Sequence, residues 1–126
     1  MQAIRSKRTK PEEMLAKALW HKGYRYRRNL HTLVGKPDIV FTRQKVAVFC
    51  DGEFWHGKDW EIKKQKLTSN QGYWVPKIER NMARDREVNY ALLQQGWLIL
   101  RFWSKDILKN LPDCVSQIEA ALIRRS

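Results

Sequence analysis

Two apolar runs each carry a carboxylate at one end, and a histidine follows soon after the second. Asp38 opens the run Ile39-Val40-Phe41, Asp51 follows the run Val46-Ala47-Val48-Phe49-Cys50, and His56 stands five residues after Asp51. Hydrolysis of a phosphodiester requires charge neutralisation at the phosphate and an activated water, and a divalent ion held by oxygen ligands provides both. These residue types therefore predict metal-assisted chemistry on a phosphodiester.

Extended geometry suggests a role for each residue. The Asp38 carboxylate is a candidate metal ligand, and Cys50 can offer its backbone carbonyl, which leaves positions for water and substrate as magnesium prefers. Asp51 shares one face of its strand with Phe49, because residues two apart point the same way. His56 is a candidate general base, since unperturbed imidazole titrates near pH ~6.5. Purely structural roles stay open: Asp38 and Asp51 can belong to turns, and His56 can be a polar loop residue.

The segment from 52 to 75 is rich in large aromatic residues, namely Phe54, Trp55, Trp60, Tyr73 and Trp74. In a basic protein, such side chains can wedge between base pairs or stack on a base. Any one ring could equally pack into the core. Their accumulation on one segment, with two of them adjoining His56, favours base stacking.

Charge is the feature of the composition that most restricts function. The 126 residues carry 25 Lys and Arg against 13 Asp and Glu, a formal net charge of +12. Such an excess opposes compactness unless a polyanion is the usual partner, so nucleic acid is the expected ligand. A basic membrane-surface protein is the alternative, but no basic amphipathic helix with a Trp and Leu face stands out. With no membrane span or leader evident, we expect a cytoplasmic protein without a membrane partner, associated with the nucleoid when bound to DNA.

Chain length and cysteine content restrict the number of domains and the kinds of disulfide or zinc site that the protein can have. A chain of 126 residues suits one domain over 1–126. Its two cysteines, Cys50 and Cys114, are too few for a disulfide framework or a four-cysteine zinc site, so we expect both to be reduced and buried.

Hydrophobic periodicity predicts an α/β domain in which helices flank a mixed sheet. The predicted elements are a helix from Lys10 to about 22, strands at 24–28, 38–41 and 46–50, a helix over 76–95, a strand over 97–102 and a helix over 111–123. The short connection at 42–44 predicts a hairpin, and the strand over 97–102 should lie parallel to an earlier strand because it follows a helix. Loss of periodicity between 52 and 75 predicts a long loop.

Details of the helices can also be predicted. Thr9 and Glu12 match a capping box at the start of the first helix. The positions expected to be buried are Leu15, Ala18, Leu19 and Trp20 in the first helix and Ile78, Met82, Leu92 and Leu93 in the helix over 76–95.

Four linked blocks resemble the very-short-patch-repair (Vsr) DNA mismatch endonucleases, compact relatives of the PD-(D/E)XK restriction enzymes. The blocks are Gly35-Lys36-Pro37-Asp38-Ile39-Val40-Phe41, then Val48-Phe49-Cys50-Asp51-Gly52-Glu53-Phe54-Trp55-His56, then Tyr73-Trp74-x-x-Lys77-Ile78-x-x-Asn81-x-x-Arg84-Asp85, and finally Leu92-x-x-x-Gly96-Trp97-x-x-Leu100-x-x-Trp103. The resemblance extends from Met1 to Trp103. It implies a restriction-endonuclease-like, three-layer α/β/α fold with a central mixed sheet.

In that family, the enzymes use magnesium to nick the DNA strand beside the thymine of a T:G mismatch. The resemblance implies that Asp38 binds the metal through its carboxylate and Cys50 through its carbonyl. His56 would activate the water, and Asp51 is a further catalytic candidate. Glu12 would approach the same site, so it has two competing roles, as an active-site carboxylate and as part of the capping box.

The expected partner is double-stranded DNA with a mismatch, bound by a monomer of the protein. The family inserts aromatic side chains beside the mismatch, and the basic side chains of the helix over 76–95 suit phosphates. The residues expected to contact DNA are Met1, Phe54, Trp55, Trp74, Lys77 and Arg84.

The sequence departs from the family pattern at two places. A family histidine just before the shared glycine is Asp51 here, and the positions of the family's zinc ligands hold Glu53, Lys58, Trp60 and Lys105, so no structural zinc is expected. Two alternatives therefore stay open: a nuclease of the same fold that acts on other damaged, branched or foreign DNA, and a DNA-binding module without catalysis. RNA binding is less favoured, because no aromatic sheet signature of an RNA-binding domain is evident.

Overall fold

The computed structural model describes residues 9–66 and 71–126. In chain order its elements are α1 (Lys10–His21), β1 (Arg27–Arg28), β2 (Ile39–Phe41), β3 (Val46–Asp51), α2 (Trp60–Lys66), α3 (Gln71–Gln94), β4 (Leu98–Trp103), α4 (Ser104–Lys109) and α5 (Leu111–Arg125). Within the described ranges, no helix is both long and apolar enough to cross a membrane.

The four strands form one mixed sheet in the order β1-β2-β3-β4. β2 and β3 form the predicted antiparallel hairpin, with Ile39 opposite Val48. β3 and β4 run parallel, with Cys50 opposite Phe102, which confirms the predicted parallel strand. The first strand is shorter than predicted, because only Arg27 and Arg28 pair with β2.

Helices cover both faces of this sheet, which confirms the α/β class and the three layers. On one face α1, α4 and α5 bury Leu15, Ile107 and Ile118 against the strands. On the other face α3 contributes Val88 and Leu92. β2 and β3 are buried on both sides because their apolar runs present hydrophobic side chains to each layer.

The start of α1 differs from the predicted capping box. Thr9 is the N-cap residue and has extended backbone angles, but within the described chain its side chain makes no capping hydrogen bond. The Glu12 carboxylate is engaged instead by Arg28 and Asn29, which lie beside β1. The helical bounds were predicted to within one residue, whereas Trp20 is 48% exposed and does not belong to the buried face.

The predicted long loop over 52–75 is wrong in part. It contains α2, and α3 begins at Gln71 rather than at Pro76, which lies inside the helix. Pro76 lacks a backbone N–H and so removes one hydrogen-bond donor from α3, but the residues from Gln71 to Val75 before it are still helical. α2 was not predicted because Trp60 alone of its seven residues is buried, so the segment shows no helical periodicity. Residues 67–70 of the predicted loop lie outside the described ranges.

Two further differences concern helix faces and short helices. Leu93 is 58% exposed while Leu92 is fully buried, because adjacent helical residues point about 100° apart and only one can face the sheet. Val88, which was not predicted to be buried, is buried, whereas Leu93 is not. Met82, which was predicted to be buried, is half-buried. The six-residue helix α4 was not predicted, since it is too short to show a period.

Candidate active site

The topology of the sheet brings the predicted carboxylates together at one edge. β2 is antiparallel to β3, so the residue before β2, Asp38, lies beside the end of β3, where Cys50 and Asp51 stand. β4 is parallel to β3, so Arg101 also reaches this edge. The strands β2 and β3 thus position Asp38 and Asp51, which sequence analysis selected, and β4 adds Arg101, which it did not.

Glu12 and Asp38, here called the carboxylate pair, are linked by Asn29. The Asn29 amide nitrogen Nδ2 lies 3.3 Å from Glu12 Oε2 and 3.4 Å from Asp38 Oδ1. Arg28 donates to Glu12 Oε2 at 2.8 Å, and Glu12 is only 2% exposed. An acidic side chain at such depth requires a cationic or donating partner, and Arg28 supplies one.

Asp38 is also bound to the backbone of β3. Its Oδ2 accepts a hydrogen bond of 2.7 Å from the Cys50 N–H. The N–H and C=O of one strand residue project from the same edge of the strand, so the Cys50 carbonyl faces the Asp38 side. The predicted pair of oxygen donors, the Asp38 carboxylate and the Cys50 carbonyl, thus lies on neighbouring backbone segments.

The Cys50 thiol is a poor candidate for a metal ligand. Burial raises the pKa of this thiol far above its ordinary value, and the negative charges of Asp38, Glu12 and Asp51 add to the effect. A thiol binds a metal ion as the thiolate, and this one stays protonated at neutral pH. Its half-buried side chain instead packs against the core below the sheet, and both cysteines are free as predicted.

A second cluster, here called the His56 network, consists of His56, Asp51, Asp85 and Arg101. His56 Nδ1 lies 2.6 Å from Asp85 Oδ2, and His56 Nε2 lies 3.8 Å from Asp51 Oδ1. The Arg101 guanidinium lies 3.1 Å from Asp51 Oδ2 and 3.7 Å from Asp85 Oδ1. Three elements meet here, because β3 provides Asp51, α3 provides Asp85 and β4 provides Arg101.

Electrostatics in the network favour a charged histidine and oppose a charged Asp51. Burial lowers the pKa of His56, but the hydrogen bond that His56 donates to Asp85 and the charges of Asp51 and Asp85 outweigh it, so the pKa lies above its ordinary value. Burial raises the pKa of Asp51, and the positive charges of His56 and Arg101 offset this only in part. The raised pKa of His56 favours its protonated form, and a histidine is a side chain suited to acid–base chemistry.

This geometry permits two kinds of chemistry. With a proton on Nδ1 held by Asp85, the Nε2 atom of His56 can accept a proton from a water molecule. Asp51, His56 and Asp85 can also each turn one ligand atom toward a common point, since these atoms lie within 4.8 Å of one another. The guanidinium of Arg101, however, already lies against both carboxylates.

Phe54, Trp55 and Trp74 form an aromatic triad next to the His56 network. Their ring centroids are 5.3 to 5.6 Å apart with edge-to-face geometry. Phe54 is 40% and Trp55 43% exposed. Exposed aromatic rings in one cluster are unusual for a core role, because packing would have buried them, and they offer π-faces to a ligand.

The segment that bears the triad is attached to α3, which also lines a cavity. Asn81 Nδ2 donates to the Trp55 carbonyl at 3.1 Å. A cavity of about 230 Å³ adjoins the His56 network and is lined by residues that include His56, Asn81, Arg84 and Arg101. Lys77 is half-buried and lies over the Tyr73 ring, 5.2 Å from its centroid. Both predicted basic residues of α3, Lys77 and Arg84, are thus on the helix that carries Trp74.

The four positions where the resembled family has zinc ligands are held by noncovalent contacts. Glu53 Oε2 accepts the Lys105 N–H at 2.8 Å. The Lys58 ammonium lies 5.9 Å from the centroid of the Trp103 ring. The indole of Trp60, which is buried, donates to Glu79 Oε2 at 2.9 Å. These contacts link the segment that bears the triad to α3 and to the end of β4.

The structure gathers most of the predicted site residues but adds four that sequence analysis did not select. Glu12, Asp38 and Cys50 lie in one cluster and Asp51 and His56 in the other, while Met1 lies outside the described residues. The missed residues are Arg28, Asn29, Asp85 and Arg101. Two of them had a visible signal: Asp85 lies seven residues after the buried Ile78, on the same helix face, and Arg101 interrupts an apolar strand.

The sequence model of the family described as DNA mismatch endonuclease Vsr matches residues 1–62. A type II nicking enzyme of Neisseria meningitidis serogroup C is 52% identical over 122 residues, which cover 97% of this chain and 82% of that protein. A type II nicking enzyme of Haemophilus parainfluenzae is 51% identical over 121 residues, or 96% of this chain and 86% of that protein. The DNA mismatch endonuclease Vsr of Escherichia coli (strain K12) is 33% identical over 103 residues, or 82% of this chain and 65% of that protein.

Proposed function

Because this chain belongs to the Vsr family of DNA mismatch endonucleases, we propose that it uses magnesium to nick one strand of a DNA duplex at a T:G mismatch. Because the chain belongs to a family of DNA endonucleases, it is a DNA endonuclease. The alternative hypothesis of a DNA-binding module without catalysis is therefore rejected. The observation that supports the finer proposal most strongly is the joining of three features at one sheet edge: the carboxylate pair, the His56–Asp85 contact and the exposed aromatic triad.

The carboxylate pair supports magnesium as the cofactor. The donors at this edge are carboxylate and carbonyl oxygens, which suit a hard cation, and the neighbouring thiol stays protonated. Asp38 is oriented by the Cys50 N–H and by Asn29, as outer partners commonly orient a ligand. Asp38 and the Cys50 carbonyl would hold the ion, with Glu12 close by. A bound ion supplies charge neutralisation at the phosphate and a more acidic water.

The His56 network supports a general base. Asp85 accepts the Nδ1 proton of neutral His56 and so fixes the tautomer and the ring orientation. Nε2 then takes the proton of the attacking water as the new P–O bond forms and the P–O bond to one sugar oxygen breaks. The leaving oxygen takes up a proton from solvent water. Asp51 lies near that nitrogen and stabilises the imidazolium that results, since opposite charges attract in a partly buried site.

The aromatic triad supports recognition of a weakened base pair. A mismatch stacks and pairs less well than a matched pair, so separating it costs less free energy, and Phe54, Trp55 and Trp74 offer faces that can replace the lost stacking. Lys77 and Arg84 lie on α3, Lys77 over the ring of Tyr73 and Arg84 in the lining of the cavity beside His56, and both would bind phosphates. We propose that one copy of the chain performs the whole reaction in the cytoplasm.

A second candidate, nicking of duplexes with other structural defects, is favoured by one observation. Two of the relatives described above are named type II nicking enzymes, and that name specifies no mismatch. The same catalytic residues would serve this activity. It differs from the first candidate only in what the aromatic triad and the basic face of α3 accept.

A substrate panel tests the proposal. Duplexes labelled on either strand would carry a T:G mismatch, another mismatch, a branch or no defect, and each would be incubated with magnesium or with chelator. We expect magnesium-dependent cleavage of the thymine strand of the T:G duplex alone. Equal cleavage of all duplexes would reject mismatch recognition while keeping the endonuclease, and preference for the branched duplex would favour the second candidate.

A further inference from the structure

Three arginines line a pocket that extends toward the connection between β2 and β3. The pocket has a volume of about 380 Å³, and Arg25, Arg27 and Arg43 line it together with Thr42 and Gln44. No acidic side chain is among the described residues that line it. This arginine pocket therefore presents one sign of charge, with a hydroxyl and an amide that can add hydrogen bonds.

The position of the arginine pocket follows from the topology of the sheet. Asp38 precedes β2 and β3 ends at Asp51, so the candidate active site lies at one end of this antiparallel hairpin. Thr42 and Arg43 belong to the connection at the other end. Thr42 follows Asp38 by four residues of extended chain, which corresponds to about 13 Å. A phosphate held at the connection is therefore not the phosphate that would be cut at Asp38.

The arginines of the pocket differ from the strand arginines described above in having no counter-ion. Arg28 and Arg101 lie 2.8 Å and 3.1 Å from carboxylate oxygens. Among residues 9–66 and 71–126, no carboxylate forms an ion pair with any of the three arginines of the pocket. Like charges around one pocket repel one another, so an anionic ligand would stabilise this arrangement.

The guanidinium of Arg25 is held in place in the absence of a ligand. Its central carbon lies 3.5 Å from the centroid of the Trp20 ring. Its NH1 nitrogen donates to the Tyr24 carbonyl at 2.9 Å and to the Trp20 carbonyl at 3.4 Å. Arginine has five N–H donors, so donors remain for a ligand. A guanidinium that is already oriented loses less conformational freedom when it binds an anion.

Duplex DNA is the anion that these features favour. Guanidinium groups match the oxygens of a phosphodiester in charge and geometry. The chain belongs to a family of DNA endonucleases and carries a net charge of +12, so DNA is a polyanion that it meets. Because duplex DNA is stiff over about 50 nm, a duplex that is bound at Asp38 does not curve back around the sheet to reach Arg43.

We propose that the arginine pocket is a second DNA-binding site, which holds the phosphate backbone of another duplex while the first duplex occupies the candidate active site. Such a site lets the protein pass directly from one DNA segment to the next as it searches for a position to nick. The inference rests on the proposed function, because it takes the end of the hairpin that carries Asp38 as the place where the first duplex binds.

The test asks whether one protein molecule bridges two duplexes. A T:G duplex and a fully paired duplex carry different dyes, and both are in excess over the protein in chelator, which prevents nicking. Sedimentation velocity recorded at both dye wavelengths detects complexes that contain both duplexes. We expect such complexes with the wild type and their loss with the pocket variant, Arg27→Gln combined with Arg43→Gln.

A control variant removes the same amount of charge elsewhere. Lys109→Gln combined with Arg124→Gln changes two exposed residues of α4 and α5 that do not line the pocket. This control should still bridge the two duplexes. Circular dichroism checks the fold of each variant, and the single substitutions replace the double one if it does not fold.

Dissociation provides a second measurement of the same property. The rate at which labelled T:G duplex leaves the protein is followed while unlabelled, fully paired duplex is added at increasing concentration. A protein with one site shows a constant rate, because the first duplex must leave before another binds. The wild-type rate should instead rise in proportion to the competitor concentration. The pocket variant should lose this dependence and the control variant should keep it.

The outcomes separate the inference from the proposed function. Bridging that is absent from the wild type, or equal in the wild type and the pocket variant, would overturn the inference and leave the endonuclease intact. Weaker binding of a single T:G duplex by the pocket variant, with no bridging by the wild type, would assign the pocket to the flank of one duplex and likewise overturn it. A wild type that bridges two duplexes but nicks none would support the pocket and contradict the proposed function alone.

Discussion

At the scale of single residues, the contact between His56 and Asp85 makes a definite prediction about pH. The pKa of His56 is raised, so more of the histidine is protonated at a given pH than in a free imidazole, and a protonated base is inactive. The nicking rate should therefore increase with pH, with a midpoint above about 6.5. In Asp85→Asn, which loses the negative charge but keeps an oxygen toward Nδ1, the midpoint should move to lower pH. Rates at saturating magnesium across pH 5–9 would show it.

A variant without the histidine is the matched control. His56→Ala should lower the rate by about 10²–10⁴-fold and remove this midpoint from the profile. If Asp85→Asn leaves the midpoint where it is, or if His56→Ala retains it, another group titrates in the reaction and the assignment of His56 as base is wrong.

The residues of the site differ in how readily a sequence reveals them. Asp38 and Cys50 could be selected because they lie at the ends of apolar runs, where strand ends gather at a sheet edge, and His56 because it follows soon after the second run. Asn29 could not, since its contacts to Glu12 and Asp38 depend on the backbone reversal that brings its loop beside α1. Asp85 and Arg101 each stand alone in a helix or strand, and only the packing of α3 over β3 and β4 brings them to His56.

At the scale of elements, the loop between β3 and α2 fixes the position of His56. Gly57 follows the histidine with a φ of 72°, is buried, and leaves no room for a Cβ beside the Met82 side chain of α3. Gly57→Ala should lower the free energy of unfolding by about 1–3 kcal/mol, because alanine is strained at positive φ and collides with Met82. It should also slow nicking, because the loop that carries His56 must shift. Urea unfolding and the mismatch assay measure both effects.

Gly52 in the same loop provides a control for that substitution. Its backbone does not require positive φ, and a Cβ added there meets no atom within 4 Å. Gly52→Ala should change the free energy of unfolding by no more than about 0.5 kcal/mol. Equal effects of the two substitutions would show that the contact of Gly57 with α3 does not position the loop.

Elements with several repeats of apolar spacing, or with a short connection between them, could be predicted from the sequence. The short helices α2 and α4 could not. The hairpin follows from its short connection, the parallel strand from the helix before it, and the buried face of α1, apart from Trp20, from apolar spacing. α2 and α4 have seven and six residues, too few to show a period. α2 is held by Trp60 and Glu79, a tertiary contact that no local pattern encodes.

At the scale of the whole molecule, a net charge of +12 predicts DNA binding that depends strongly on salt. If about six phosphates are neutralised, log Kd against log salt concentration should have a slope of magnitude about 5. Arg84→Gln, beside the candidate site, should reduce that magnitude by about 1. Arg124→Gln changes an equally exposed arginine at the end of α5 and should leave the slope unaltered. Fluorescence anisotropy from 50 to 300 mM salt measures these slopes, and affinity that does not change with salt would contradict a polyanion partner.

The central claim is that an ion held at Asp38 drives strand cleavage, and one substitution tests it most directly. Asp38→Asn keeps an oxygen to accept the Cys50 N–H but removes the charge that would bind magnesium. Nicking of a labelled T:G duplex and affinity for the same duplex would be measured in magnesium and in chelator. We expect a loss of about 10²-fold or more in rate, because the ion contributes several kcal/mol to stabilising the transition state, with DNA affinity unchanged or increased. Nicking by Asp38→Asn at the wild-type rate, or wild-type nicking that persists in chelator, would contradict it.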